Sequence, residues 1–447
     1  MMDTNLLFTE KDLKGLIIPL FFEQLLELLV GIADIFVVSY AGEAAVSGVS
    51  LVNSFNTVFI VLFTALASGG AVIISQYIGS KDNARAGETA SQLLMISTLG
   101  SVVVSILLLV IRHWLLRMMF GNVEPDVMLA CEDYLRISVY SYPALAIYNA
   151  GAALYRSMGK TKVTMYISTV SNVINVIGNL IGVFILHAGV PGVAYPSLIS
   201  RAFSAFVITV LCFQKKREIR YCLKEILEWN KDLLKKILGI AVPNGVENGV
   251  HQLIKVLLSS LVSMFGTYQI AANGVAQSIW SLASLSGQAM GPAYTTVIGQ
   301  CMGARDIPAA SYYMKKLTKI TLLLSIVWNA FVFGITPLIL RYYALSPETK
   351  HLVILLVLIN NVFNAFAFPF AGPFGNGLRA AGDVRYTMVV SIFLTVVVRL
   401  LLSFLLSRTF HMEVLGIAWG MGIDLTIRAI LFLHRYRSGK WKEFNLI

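Results

Sequence analysis

The chain has 447 residues, of which 57% are hydrophobic and only 13% charged, with a net charge of +11 and a mean hydropathy of +0.74. Soluble globular domains carry about 25% charged residues, so this composition excludes a soluble enzyme or binding module. It describes an all-α membrane protein with many spans. The start, MMDTNLLFTEKDLK, is polar with no apolar stretch before it, and no cleaved signal peptide is expected. Twelve apolar runs then follow, near 15–40, 50–78, 90–111, 131–154, 164–187, 192–212, 237–264, 270–299, 316–340, 351–377, 386–407 and 413–436. Each is long enough to cross a bilayer, which takes about 20 helical residues.

The first run, GLIIPLFFEQLLELLVGIADIFVVSYA, carries Glu23, Glu27 and Asp34 and no basic residue. Their spacings place all three on one helical face. A charge inside a bilayer is costly unless it meets water, a partner or an ion, so this face is expected to line a pathway. Lys and Arg, including those at span ends, divide unevenly if both termini share a side. That side holds 25 and the other five: Arg112, Arg117, Arg341, Lys350 and Arg408. The bias puts both termini in the cytoplasm of a multi-pass protein of the cell membrane. It also explains the basicity without a nucleic-acid partner. Cys131, Cys212, Cys222 and Cys301 show no paired spacing, so neither a metal site nor a disulfide frame is indicated.

An offset of 224 residues lays the chain on itself. Pro19 falls on Pro243, Glu23 on Glu247, Gly42 on Gly266, and Gln76-Tyr77-Ile78-Gly79 on Gln300-Cys301-Met302-Gly303. Arg156-Ser157-Met158-Gly159 meets Arg379-Ala380-Ala381-Gly382 one residue out of step. Six spans per copy is an even number, so both copies enter from one side and a pseudo-two-fold lies along the membrane normal. The expected organisation is an N-terminal lobe over 1–213, a cytoplasmic linker over 214–236 and a C-terminal lobe over 237–447. Ile219, Leu223, Ile226 and Leu227 share a face if the linker is helical, which suits a connector on anionic headgroups.

The Pro19-x14-Asp34 pattern, Gly42-Glu43-Ala44-Ala45-Val46-Ser47-Gly48, the Gln76-x2-Gly79 end of span 2 and the Arg156-x2-Gly159 loop resemble the multidrug and toxic compound extrusion (MATE) family, and the resemblance spans the chain. It implies a monomeric two-lobed antiporter that exports amphipathic small molecules by alternating access, driven by H⁺ or Na⁺ influx and without a cofactor. A lipid-linked precursor flippase of related architecture is the alternative. No HExxH, GxSxG or P-loop pattern points to an enzyme.

The resemblance places cation coupling on Asp34. A carboxylate taken out of water can exchange protons or give Na⁺ an oxygen ligand; alternatively Asp34 is merely solvated or bonded to a neighbouring Asn. Glu27 lies two turns deeper, and Glu23 is close enough to the boundary to snorkel. Asn175 and Asn179 match an Asn-x3-Asp pattern of some family members, with Asn179 replacing the acid. Span 7 sets Glu247, His251 and Lys255 on one face, where span 1 has Glu23, Glu27 and Gly31. His251 could carry a proton, and Lys255 could neutralise Glu247. Asn53, Asn56, Gln277, Trp280 and Asn364 complete the expected substrate cleft. Pro19, Pro369 and Pro373 are candidate hinges, because proline interrupts helical hydrogen bonding. Arg201, Arg399, Asp424 and Arg428 are further charges within spans, Arg428 near enough to the inner face to snorkel. The acid-free span 10 and neutral Asn179 favour H⁺ over Na⁺.

Overall fold

Helix follows helix along the chain, and no strand occurs among the described residues. The computed structural model describes residues 7–121, 123–214, 218–343, 345–444 and 446–447. Part of the polar start (1–6) and part of the linker (215–217) lie outside the described residues. In chain order the helices are α1 (Glu10–Ser39), α2 (Glu43–Gly79), α3 (Asn83–Phe120), α4 (Pro125–Tyr140), α5 (Tyr142–Ser157), α6 (Thr161–Leu180), α7 (Pro191–Cys212), α8 (Leu223–Leu227) and α9 (Lys231–Val262). They continue as α10 (Thr267–Ala283), α11 (Leu285–Gly303), α12 (Ile307–Arg341), α13 (Pro347–Phe366), α14 (Phe368–Ala371), α15 (Pro373–Ala380), α16 (Val384–Phe393), α17 (Leu400–Phe404) and α18 (Glu413–Arg437). π-helical turns occupy Ile181–Ile185, Leu394–Arg399 and Leu405–Thr409.

All twelve expected spans are present as helical rods. Nine helices among the described residues are long and apolar enough to cross a membrane by themselves. Of the other three rods, two are interrupted, at Ser141 between α4 and α5 and at Ser284 between α10 and α11. The third, α9, is diluted by its polar PNGVENGVHQ stretch. The three candidate hinges behave differently. Pro19 sits within unbroken α1, whereas Pro369 and Pro373 open α14 and α15 after interruptions at Ala367 and Gly372.

The repeat is visible in local geometry. Gly42 and Gly266 precede α2 and α10 at φ 108° and 102°, a conformation natural to glycine. Asp82 and Asp306 cap α3 and α12, accepting from the amides of Arg85 (3.0 Å) and Ala309 (2.9 Å). The π turns Ile181–Ile185 and Leu405–Thr409 also lie 224 residues apart. The turn Leu394–Arg399 has no counterpart, because α6 is regular through Leu180. It absorbs one extra residue: 18 steps separate Thr387 from Leu405, against 17 from Thr164 to Ile181. A single inserted residue is how a π turn enters an α-helix.

The chain forms two units. The N-terminal unit is Lys11–Gly245; the other is Val246–Ile447 together with the chain start up to Glu10. The core of the N-terminal unit gathers Val52, Leu135, Ile137, Val139 and Tyr142. Gly182 and Gly192 bring the end of span 5 against α7 so closely that a Cβ on Gly182 would lie 2.1 Å from the Gly192 carbonyl oxygen. Small residues permit this approach in membranes.

The linker departs from expectation. Among its described residues only Leu223–Leu227 and the start of α9 from Lys231 are helical; Ile219 is buried while Leu223 and Leu227 are exposed, so they share no face. The cause is α3. Ser91 accepts from the Cys222 amide (3.1 Å), and Gln92 donates to the Glu225 and Glu228 carbonyls and accepts from the Asn230 amide (3.2 Å). These bonds satisfy linker backbone that a longer helix would otherwise satisfy itself.

In the C-terminal unit, Ile254, Leu258, Ala272, Val353, Leu356 and Val414 form the core. The chain start is fastened there. The Phe8 amide donates to the Tyr313 hydroxyl (2.8 Å), which donates back to the Phe8 carbonyl (2.7 Å), and Lys316 pairs with Glu10. Cys131, Cys212 and Cys301 are buried, and Cys222 is half-buried.

Candidate transport site

In the N-terminal unit, α1 and α6 bring together three of the expected coupling residues. The Asp34 carboxylate accepts from Asn175 Nδ2 at 3.2 and 3.3 Å and from Asn179 Nδ2 at 2.6 Å. The four-residue step from Asn175 to Asn179 is one helical turn, so both amides reach one carboxylate. Asn175 Oδ1 accepts from Ser197 (3.2 Å), while Asn179 Oδ1 is buried without a partner. Nearby polar positions pair with tyrosines: Tyr134 donates to Asn53 (3.1 Å) and Tyr142 to Asn56 (2.5 Å). Arg201 donates to Ser141 (2.7 Å), at the break between α4 and α5. Glu27 stays apart from this group. It is exposed, with Gln24 donating to it at 3.2 Å.

Glu23 does not snorkel. It is fully buried, pairs with Arg156 at 2.8 Å, and accepts from Tyr148 and Thr164 at 3.1 Å each. Its repeat partner Glu247 is held the same way, by Arg379 through two bonds of 2.7 and 2.8 Å, with Thr387 accepting from Arg379 Nε at 3.3 Å. Arg379, not Lys255, therefore neutralises Glu247, and Lys255 is exposed. Neither arginine was expected to meet a glutamate, yet the signal was in the repeat. The same self-alignment that pairs Glu23 with Glu247 pairs Arg156 with Arg379.

The C-terminal unit gathers a second cluster, largely from α9, α18 and the unmatched π turn. Arg399 pairs with Asp424 (2.7 Å), as does Arg428 (2.9 Å), and Arg428 also donates to Thr395 (2.8 Å). Arg428 is thus buried in a network and does not snorkel. Its Nη1 lies 3.2 Å from His251 Nε2, whose Nδ1 is 3.3 Å from Thr395 Oγ1. Guanidinium groups only donate, so in this arrangement His251 Nε2 accepts and Nδ1 carries the ring hydrogen. Of the remaining expected cleft residues, Asn364 donates to Asn329 (3.1 Å), Trp280 packs edge-on to Phe368, and Gln277 is half-buried.

Together the twelve rods, the internal repeat and the charged groups inside the spans define a polytopic transporter. The MatE family model matches twice, over residues 19–181 and 243–405, at the 224-residue offset read from the sequence. The chain belongs to the MatE family. Among relatives, it is 25% identical to the uncharacterized transporter YisQ of Bacillus subtilis over 95% of this chain and 93% of that one. It is 23% identical to the probable multidrug resistance protein NorM of Thermotoga maritima, covering 97% and 93%. A solved outward-facing multidrug resistance MATE transporter shares the fold with a TM-score of 0.90, at 22% identity and 97% coverage of both chains.

Proposed function

We propose that this protein is a secondary active exporter of amphipathic small molecules, coupled to proton influx at Asp34. The observation that carries the reading is the environment of this carboxylate. Glu23, Glu247 and Asp424 each have a guanidinium within 4 Å, whereas Asp34 is met by the amides of Asn175 and Asn179. A carboxylate with no guanidinium in contact can be neutralised by a proton with no ion pair to break.

Asn179 suits both states of that reaction. Its Nδ2 donates to ionised Asp34, while its Oδ1 is buried and unpartnered. When Asp34 takes a proton, rotation of the amide presents Oδ1 as the acceptor for the new O–H. Protonation then removes the charge while a hydrogen bond between Asp34 and Asn179 is kept. Glu27, exposed and one face along α1, relays protons to the site. A substrate bound better in the ionised state is released outward when the proton arrives. The names of the multidrug relatives support the substrate class.

The test is uptake of tetramethylrhodamine or its methyl ester into inverted membrane vesicles, with the electrical potential collapsed. Accumulation of either dye on imposing an acid-inside gradient is expected; passive equilibration alone overturns export.

The Lys and Arg distribution supports cytoplasmic termini. Single cysteines replacing exposed Lys224 and Lys440 are expected to resist membrane-impermeant maleimide in intact cells and to react after lysis. Neighbouring Trp441 is fully buried and stacked on Tyr436, which makes it a poor reporter. Labelling of both positions in intact cells contradicts this topology.

A further inference from the structure

We propose that the C-terminal unit holds a monoanion site, centred on Arg399 and Arg428, that receives the carboxylate of an amphipathic substrate. The inference deepens the export reading and rests on it.

The first observation is a charge imbalance. Glu23 and Glu247 are each matched by one guanidinium, Arg156 and Arg379. Around Asp424 two guanidiniums share one carboxylate that is 0% exposed. His251 adds no negative charge, and Lys255, one turn along α9, adds a further exposed positive one. An uncompensated charge in the interior of a span is costly, and an incoming anion relieves that cost.

The second observation is a free donor. Arg428 Nε is buried with no hydrogen-bond partner, on a side chain only 6% exposed. Buried polar groups are nearly always partnered, and a buried guanidinium N–H left over is a place for an acceptor.

The third observation is that the fold does not require these charges. At the 224-residue offset, Arg399, Asp424 and Arg428 correspond to Asn175, Ser200 and Ser204, which are neutral. The N-terminal copy forms the same helices without them. Arg399 also ends the π turn that only the C-terminal copy possesses. Its side chain, 15% exposed, is the most open of the three charged groups Arg399, Asp424 and Arg428.

The chemistry of the ligand follows from the count. With exposed Lys255 set aside, because water already stabilises its charge, Arg379, Arg399 and Arg428 against Glu247 and Asp424 leave one positive charge, which suits a monoanion. The planar guanidinium fork matches a carboxylate better than a spherical halide.

The experiment uses the purified full-length protein in detergent, without any gradient, and reads fluorescence anisotropy. Tetramethylrhodamine carries a free carboxylate that its methyl ester lacks, on the same fluorophore. The acid is expected to bind at least about tenfold tighter, a preference of the size one charge-assisted contact confers. Arg399→Gln should erase that preference while leaving ester binding unchanged, and Arg399→Lys should keep part of it. Arg399→Gln leaves Asp424 paired with Arg428, so the unit keeps its fold. Benzoate should displace the acid where equimolar chloride does not. Equal affinities, failure of the acid to bind, or equal weakening of both dyes by Arg399→Gln overturns the site. Displacement by chloride as effective as by benzoate overturns the carboxylate class. These are equilibrium readings, so they can fail while gradient-driven export stands.

Discussion

Asp34→Asn is expected to reduce gradient-driven dye uptake to background while leaving membrane insertion and thermal stability close to those of the unaltered protein. The substitution keeps the shape of the side chain and its ability to bond Asn175 and Asn179, but removes the group that takes the proton. Hydrogen bonds to a charged acceptor are worth about 1.5–3 kcal/mol, and the lost strength is offset because a carboxylate no longer has to be kept out of water. Function and stability should therefore separate at this position. Glu27→Gln should slow uptake without abolishing it, since Glu27 is exposed and outside the Asp34 network. Normal uptake by Asp34→Asn would remove the carboxylate from the mechanism.

Glu247→Gln is expected to have the largest effect on stability, and Glu23→Gln a similar one. Each leaves a largely buried arginine facing a neutral amide. Breaking such a pair from one side costs about 3–5 kcal/mol, whereas replacing both partners by apolar groups of similar volume is often close to neutral. Glu247→Met with Arg379→Met should thus melt nearer the unaltered protein than Glu247→Gln alone. Thermal unfolding in detergent, read as a double-mutant cycle, measures the difference. A double variant less stable than either single one would show that the pair is not the unit of stabilisation.

Much of the fold could be read in the sequence because hydrophobic length and a near gap-free repeat both survive without any structure. The twelve rods and the 224-residue register follow from these two signals. The interruptions at Ser141 and Ser284 were not legible, since neither residue breaks a helix by propensity alone. The π turn at Leu394–Arg399 was implied by the one-residue change in offset between the Arg156/Arg379 match and the span ends. At the candidate site, Asp34, Asn175 and Asn179 were picked out by the family resemblance, and the four-residue step between the two asparagines is what lets both amides reach one carboxylate. The partners of Glu23 and Glu247 were signalled only indirectly, by the repeat that also aligns Arg156 with Arg379, because each arginine lies over 130 residues away. Only the third dimension brings such residues together. Lys255 looked like the counter-ion because spacing along one helix is all that a sequence displays directly. The linker failed for a similar reason: its amphipathic pattern lost to side chains of α3 that bind its backbone.

Proton coupling at Asp34 is tested most directly by transport in proteoliposomes of the purified protein, with a pH gradient and a Na⁺ gradient imposed separately at zero electrical potential. The predicted result is dye movement against its gradient with the pH gradient alone, none with Na⁺ alone, and none with either in Asp34→Asn. Transport driven by Na⁺ and not by pH, or undiminished transport by Asp34→Asn, would contradict it.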